Sequence, residues 1–279
     1  MKKLILILLS VATATFMFSS CSKKNDAVKP VAPVAKNYVL VHGAWQAPYV
    51  WDSVKTTLIK EGNNVTVVEL PGHGDDQTPI SQITLNLYTT TVLNAISQIN
   101  GKVILVGHSL GGMIISSVAE QIPTKIEKLV YLSAYLPTSG QSLLALASTD
   151  AGSALGDSVN NVPILNINTT NGTLDVLHNQ IVNVFIQDGS TQAQNLVLQN
   201  YRIEPLIPFT TPVTLTAANF GSVEKVYIKT LQDHVVSPAL QNRMIAASNV
   251  KTVYQLNTSH SSFLVKPDSV AILLTKIGQ

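Results

Sequence analysis

The stretch Gly107-His108-Ser109-Leu110-Gly111 fits G-x-S-x-G. A serine hydroxyl set in that pattern can attack a carbonyl carbon and carry the acyl group through a covalent intermediate. The pattern alone is weak, but its surroundings are specific. The β-branched run Val103 to Val106 leads straight into it and an apolar helical stretch leaves it, which is the strand–turn–helix arrangement the motif requires. Such a turn holds the serine in a strained backbone conformation and leaves no room for side chains beside it, a condition met by Gly107, Gly111 and Gly112.

The hydroxyl needs a general base, and the base needs an acid to orient it. Six histidines compete. His42 and His73 sit in glycine loops after the first two strand-like runs, His108 lies inside the elbow with its side chain pointing away from Ser109, and His178 falls in a central insertion. His260, in Asn257-Thr258-Ser259-His260-Ser261, follows the last strand-like run and takes the base position. The order Ser…Asp…His then asks for an acid on a strand-end loop between Ser109 and His260. Asp233, after Val226-Tyr227-Ile228, fills that slot. The loop after Leu132-Ser133-Ala134 offers no carboxylate, Asp75 and Asp76 are on the wrong loop, and Asp150, Asp157, Asp175 and Asp188 read as solvated residues of the insertion. His234, directly after the acid, has no role in this reading.

Negative charge developing on the attacked carbonyl needs two backbone N–H donors, each worth about 3–4 kcal/mol of barrier. Leu110, after the nucleophile, supplies one, and Ala44 in His42-Gly43-Ala44-Trp45 supplies the other. His42 reads as the residue that bonds this loop into shape. Trp45 either lines the acyl pocket or packs. The same choice applies to Leu206, Ile207, Phe209 and the Leu143-Leu144-Ala145-Leu146 run.

Positioning these groups takes a particular scaffold. From residue 37 six β-branched runs recur: Tyr38 to Val41, Val65 to Val68, Val103 to Val106, Leu129 to Leu132, Val226 to Ile228 and Thr252 to Tyr254. None alternates apolar with polar, so they read as strands covered on both faces by helices. Helical stretches separate them: Trp51 to Glu61, Thr84 to Gln98, Leu110 to Gln121, Ala239 to Ser248 and Ser269 to Ile277. The alternation predicts a doubly wound, mostly parallel six-stranded α/β sheet. It breaks over about 138–222, which reads as an inserted, mostly helical cap. No repeat and no metal-spacing cluster stands out, so no metal site is expected.

Composition excludes several classes. Charged residues are 12% and hydrophobic residues 46% of 279, against a usual charged share of about 25%, so neither a disordered chain nor a coiled coil fits. The net charge of +2 hides an asymmetry: six lysines and one aspartate precede residue 37, leaving twelve basic and fifteen acidic residues in the body. A nucleic-acid partner would call for a basic face that this body lacks.

The N-terminus reads as an address. Met1-Lys2-Lys3 precedes the apolar run Leu4 to Phe18, which at about 15 residues is short for a stable span of about 20. Phe18-Ser19-Ser20-Cys21 resembles the lipobox of bacterial lipoproteins, in which the cysteine is lipidated, although Phe18 stands where leucine is usual. Cys21 is the only cysteine, so no intramolecular disulfide can form. The domain expectation is therefore a lipoprotein signal peptide over 1–21, a Pro/Ala/Val linker over 22–36 and a catalytic body over 37–279. The linker reaches about 45 Å if extended. The expected location is a bacterial cell envelope, with a lipid anchor at Cys21.

From Tyr38 to the C-terminus the chain resembles the α/β-hydrolases of the plant methylesterase and hydroxynitrile lyase branch and their bacterial esterase relatives. The matching stretches are Val39 to Trp45, Gly107 to Gly112, Phe220 to Ile228 and Ser259-His260-Ser261. The resemblance implies a six-stranded parallel core, a helical cap, a triad at Ser109, Asp233 and His260, and no cofactor. The lyases of that branch resemble a pattern with Thr after the first-strand His and Lys directly after the base, where the Lys stabilises departing cyanide. Here those positions are Gly43 and Ser261. The expectation is thus a serine esterase of small to medium carboxylic esters. The alternatives are a lactone or carbon–carbon bond hydrolase on the same triad, or a hydrolase-fold binding protein with vestigial activity.

Overall fold

The computed structural model describes residues 34–279. The chain runs through β1 (Asn37–Val41), α1 (Asp52–Lys60), β2 (Asn64–Val68), α2 (Leu85–Ser97), β3 (Val103–His108), α3 (Gly111–Gln121) and β4 (Ile126–Leu132). An insertion follows, with α4 (Leu143–Ala147), β5 (Ser158–Val159), β6 (Val162–Pro163), β7 (Leu165–Asn168), β8 (Thr173–Val176), α5 (Ile181–Phe185), α6 (Thr191–Asn200), β9 (Glu204–Pro205) and α7 (Ile207–Thr210). The core resumes with β10 (Glu224–Thr230), α8 (Pro238–Ala247), β11 (Thr252–Leu256), α9 (Ser262–Val265) and α10 (Pro267–Gly278).

The six long strands form one sheet in the order β11-β10-β4-β3-β1-β2, and every adjoining pair is parallel. Successive residues of a strand face opposite sides. In β1, Val39 and Val41 therefore join an apolar cluster with Val92 of α2 and Ile114 of α3. Tyr38 and Leu40 join a second cluster with Leu58 of α1 and Leu274 of α10. Both faces are thus covered, which is why the inner strands carry no polar alternation. The rule relaxes at the edge strand β11, where Thr252 to Gln255 alternate between partly buried and exposed positions before the buried Leu256.

Strand order reverses between β1 and β3, since β2 lies outside β1 and β4 lies beyond β3. A doubly wound sheet opens a crevice at the carboxyl ends of the strands flanking such a reversal. The loop after β1 carries Ala44 and Trp45, and the turn after β3 carries Ser109.

Three expectations need adjustment. The insertion contains helices but also five short strands, paired as β5-β6 and β7-β8-β9. Strands of two to four residues are too short for a period to register. Asp150 is not solvated: it is buried, and its carboxylate accepts from Ser237 N at 2.8 Å and from the Ser237 hydroxyl, at the N-cap of α8. Asp175 is also partly covered and accepts from Tyr201 Oη, whereas Asp157 and Asp188 are exposed, Asp188 accepting from Ser259 N. The Lys36 ammonium meets Glu127 at 2.6 Å. The expected signal peptide, Cys21 and the linker through residue 33 lie outside the described residues.

Candidate active site

Ser109 stands between β3 and α3 with φ of 53°, in the left-handed region that a side chain disfavours. Its carbonyl accepts from Gly112 N at 3.0 Å and Tyr135 N at 3.1 Å, which pins the turn. The tightness explains the glycines: a Cβ on Gly107 would lie 2.6 Å from the Gly111 carbonyl oxygen, and one on Gly43 would lie 2.7 Å from Ser109 Cβ. Trp45 and Ser133, after β1 and β4, also take positive φ, of 59° and 48°. Three strand ends therefore carry backbone strain at one edge of the sheet, of order 1–3 kcal/mol each.

His260 and Asp233 are brought together: His260 Nδ1 lies 2.9 Å from Asp233 Oδ2, with both side chains buried. A carboxylate accepts, so Nδ1 carries the proton and Nε2 of the neutral ring keeps its lone pair. Asp233 is itself fixed. Oδ1 accepts from Val235 N at 2.8 Å and Val236 N at 2.9 Å, and Oδ2 accepts from Thr230 Oγ1 at 2.7 Å. Thr230 has one hydroxyl hydrogen and spends it on Asp233, so the Ser133 hydroxyl, 2.9 Å away, donates to Thr230. Among the described residues no hydrogen bond joins Ser109 Oγ to His260. Such contacts are often long before substrate arrives.

Neither Ala44 N nor Leu110 N donates a hydrogen bond among the described residues, although Ala44 is 3% and Leu110 0% exposed. An oxyanion site needs two such buried, unused N–H groups beside the attacking atom. His42 shapes this loop as expected: Nδ1 donates to the Gly43 carbonyl at 2.8 Å and Nε2 accepts from Leu70 N at 3.3 Å. Burial, and next the neighbouring His73, push the His42 pKa down to about 3, so the ring is neutral.

Ser109, Ala44 and Trp45 open into a cavity of about 460 Å³. Its walls include Leu143 and Leu144 of α4, Phe209 of α7 and Tyr135. Trp45 and Phe209 meet edge to face at 5.5 Å, so both line the pocket and both pack. Leu206 and Ile207 are not part of the wall, and Ile207 faces solvent. Among the described residues no lysine or arginine lines the cavity.

Other residues join the site that sequence reasoning left aside. His234 Nδ1 donates to the Asn183 carbonyl of α5 at 2.8 Å, tying the acid loop to the insertion. Glu204 of β9 is fully buried, and its Oε2 accepts from Trp45 N at 2.7 Å and contacts His73 Nε2 at 3.0 Å. Burial alone would lower the His73 pKa, but the Glu204 carboxylate outweighs it and raises the value. A lone Glu in a short irregular segment reads as surface, and its partners are 131 and 159 residues away. Among the described residues no group of His, Cys, Asp or Glu is arranged to hold a metal.

Residues 38–272 match the alpha/beta hydrolase family. The chain belongs to that family. It is 31% identical over 265 residues to an Arabidopsis thaliana chloroplastic protein provisionally named methylesterase 11, covering 91% of this chain and 67% of that one. An alpha-hydroxynitrile lyase of Arabidopsis thaliana is 29% identical over 257 residues, covering 87% of this chain and 96% of the lyase. Among solved structures, polyneuridine aldehyde esterase superposes with a TM-score of 0.77 at 24% identity, over 88% of this chain and 100% of that one. This last likeness speaks for the α/β-hydrolase fold.

Proposed function

We propose that this protein is a carboxylic ester hydrolase working through an acyl-enzyme on Ser109. The observation that carries the reading is the 2.9 Å bond from His260 Nδ1 to Asp233, on loops facing the same sheet edge as the strained Ser109 elbow. Ser109 Oγ attacks the ester carbonyl while His260 Nε2 takes its proton. The N–H groups of Ala44 and Leu110 bind the oxyanion. His260 returns the proton to the leaving alcohol, then activates water to release the acid. Asp233 fixes the imidazole tautomer and stabilises the imidazolium. The cavity of about 460 Å³ suits small to medium esters with an apolar part.

The family also contains lyases that expel cyanide, and three features favour hydrolysis here. Among the described residues no lysine or arginine lines the cavity to receive an anionic leaving group. Ser261, at the position where the lyase pattern has Lys, is buried and accepts from Gln46 Nε2 at 2.8 Å. Gly43, where that pattern has Thr, has no space for a Cβ.

The test is burst kinetics with p-nitrophenyl esters from acetate to octanoate, on protein lacking residues 1–36. A stoichiometric burst with a chain-length preference is expected. Folded protein with neither burst nor turnover across the series sinks the esterase reading. On the sequence of residues 1–36 we further propose export to a bacterial cell envelope and lipid attachment at Cys21, tested below.

A further inference from the structure

The cap sheet grips the oxyanion loop at two points on one residue. Leu174 of β8 and Glu204 of β9 are paired across the sheet. The Leu174 carbonyl accepts from the Trp45 indole Nε1 at 3.3 Å, and Glu204 Oε2 accepts from Trp45 N at 2.7 Å. Trp45 has φ of 59°, in the left-handed region that a side chain disfavours. The carboxylate that receives its main-chain N–H is buried and held from two further sides, by His73 Nε2 at 3.0 Å and Tyr88 Oη at 3.3 Å. His73 is fixed in turn through Nδ1, which donates to the Pro71 carbonyl at 3.1 Å. The preceding residue, Ala44, keeps its N–H free beside the nucleophile.

We propose that Glu204 is the positioning residue of the oxyanion hole: by holding Trp45 N–H it fixes the turn that aims the Ala44 N–H at the oxyanion, so the cap completes the catalytic apparatus. The inference rests on the ester hydrolase reading. Glu204 does not touch substrate. The Trp45 N–H is occupied by the carboxylate, which leaves Ala44 as the donor from this loop. A carboxylate suits the task because it accepts from Trp45, His73 and Tyr88 together, whereas a neutral amide offers only one oxygen. Burying such a group with any partner missing is costly, so the network defines one loop conformation.

Two readouts separate positioning from bulk stability. One is the division of the loss between kcat and KM. The other is the affinity of a trifluoromethyl ketone, whose carbonyl adds Ser109 Oγ to give a hemiketal oxyanion while His260 keeps the proton. Removing one oxyanion donor typically costs on the order of 10²–10³ in kcat. Glu204→Ala is expected to lose about 10²-fold in kcat, with KM within about threefold of wild type and the ketone weakened in parallel. Glu204→Gln, which keeps one acceptor, is expected to recover about tenfold of that loss. Unchanged kcat and ketone affinity in Glu204→Ala, or a loss carried by KM, overturns the proposal. If the Ala variant does not fold, Glu204→Gln decides alone: a ketone affinity equal to wild type overturns it. Wild-type protein inert toward every ester overturns the underlying esterase reading instead.

Discussion

His108 Nε2 donates to the backbone carbonyl of His260 at 3.1 Å, and the two rings lie 4.4 Å apart. His108, next to Ser109, therefore holds the main chain of His260, and the two loops cannot drift independently. Burial and then the nearby His260 keep the His108 pKa well below the ordinary histidine value, so this strap stays neutral. His108→Phe preserves the ring against Phe263 but leaves a buried carbonyl without its donor. An unsatisfied buried acceptor costs about 1–3 kcal/mol, and urea unfolding should read a loss of that size, with kcat reduced more than KM. Unaltered stability and kcat would show that the bond carries no weight.

Asp233→Asn tests the orienting acid. The amide nitrogen can donate to His260 Nδ1 and favour the wrong tautomer, with Nε2 protonated. In serine proteases the equivalent change costs about 10⁴ in kcat. A loss of at least about 10³-fold in nitrophenol release is expected here, without loss of the folded circular dichroism signal. A variant within tenfold of wild type rules out Asp233 as the orienting acid.

Gly43→Thr installs the lyase-pattern residue. Its Cβ would fall 2.7 Å from Ser109 Cβ and 2.8 Å from His108 Nδ1. Overpacking of this kind typically costs about 1–3 kcal/mol, and here it displaces the nucleophile. Ester turnover should collapse, and neither wild type nor variant should release cyanide from mandelonitrile above background. Rapid cyanide release by the wild type contradicts the esterase assignment.

Stability should depend on pH with a defined sign. The unfolded chain protonates its histidines near pH 6.5, whereas folded His42 accepts a proton only near pH 3. Its contribution is therefore present above pH 6.5 and is lost as pH falls toward 3, and buried His108 acts in the same direction. His73 opposes them: its contribution is complete below pH 6.5 and fades as pH rises through its raised value. Below pH 6.5 the His73 contribution is constant, so the acid-side slope from these three residues comes from His42 and His108. Urea midpoints should fall between pH 7 and pH 4, and His42→Gln, less stable at pH 7, should show a shallower slope. Parallel slopes would mean that His42 is not the group responsible.

Cys21→Ser tests the address. Expressed in bacteria, the full chain should sediment with membranes and the variant should not. Membrane association that survives the substitution removes the lipid anchor.

Much of the core was legible because burial on two faces forces continuous apolar runs. All six runs became strands of one sheet, with boundaries shifted by at most three residues. Ser109 was legible because steric crowding at its turn leaves a glycine signature. Asp233 and His260 followed from chain order and strand ends. The cap was less legible: its strands are too short to show a period, and its polar residues act over long sequence separations. Asp150 and Glu204 look like solvated acids in a line of text, yet each caps or holds a main-chain N–H from a distant segment.

The Leu174–Glu204 pair also bears on how such enzymes can be re-engineered. Exchanging the whole stretch between β4 and β10 for that of another hydrolase, the natural route to a new specificity, removes both residues that hold Trp45. The substrate-facing helices α4 and α7 flank β8 and β9 in the chain. A chimera that replaces those two helices and leaves the β8–β9 ribbon in place changes the pocket walls while keeping the donor geometry. The modular unit of specificity here is therefore smaller than the insertion that contains it.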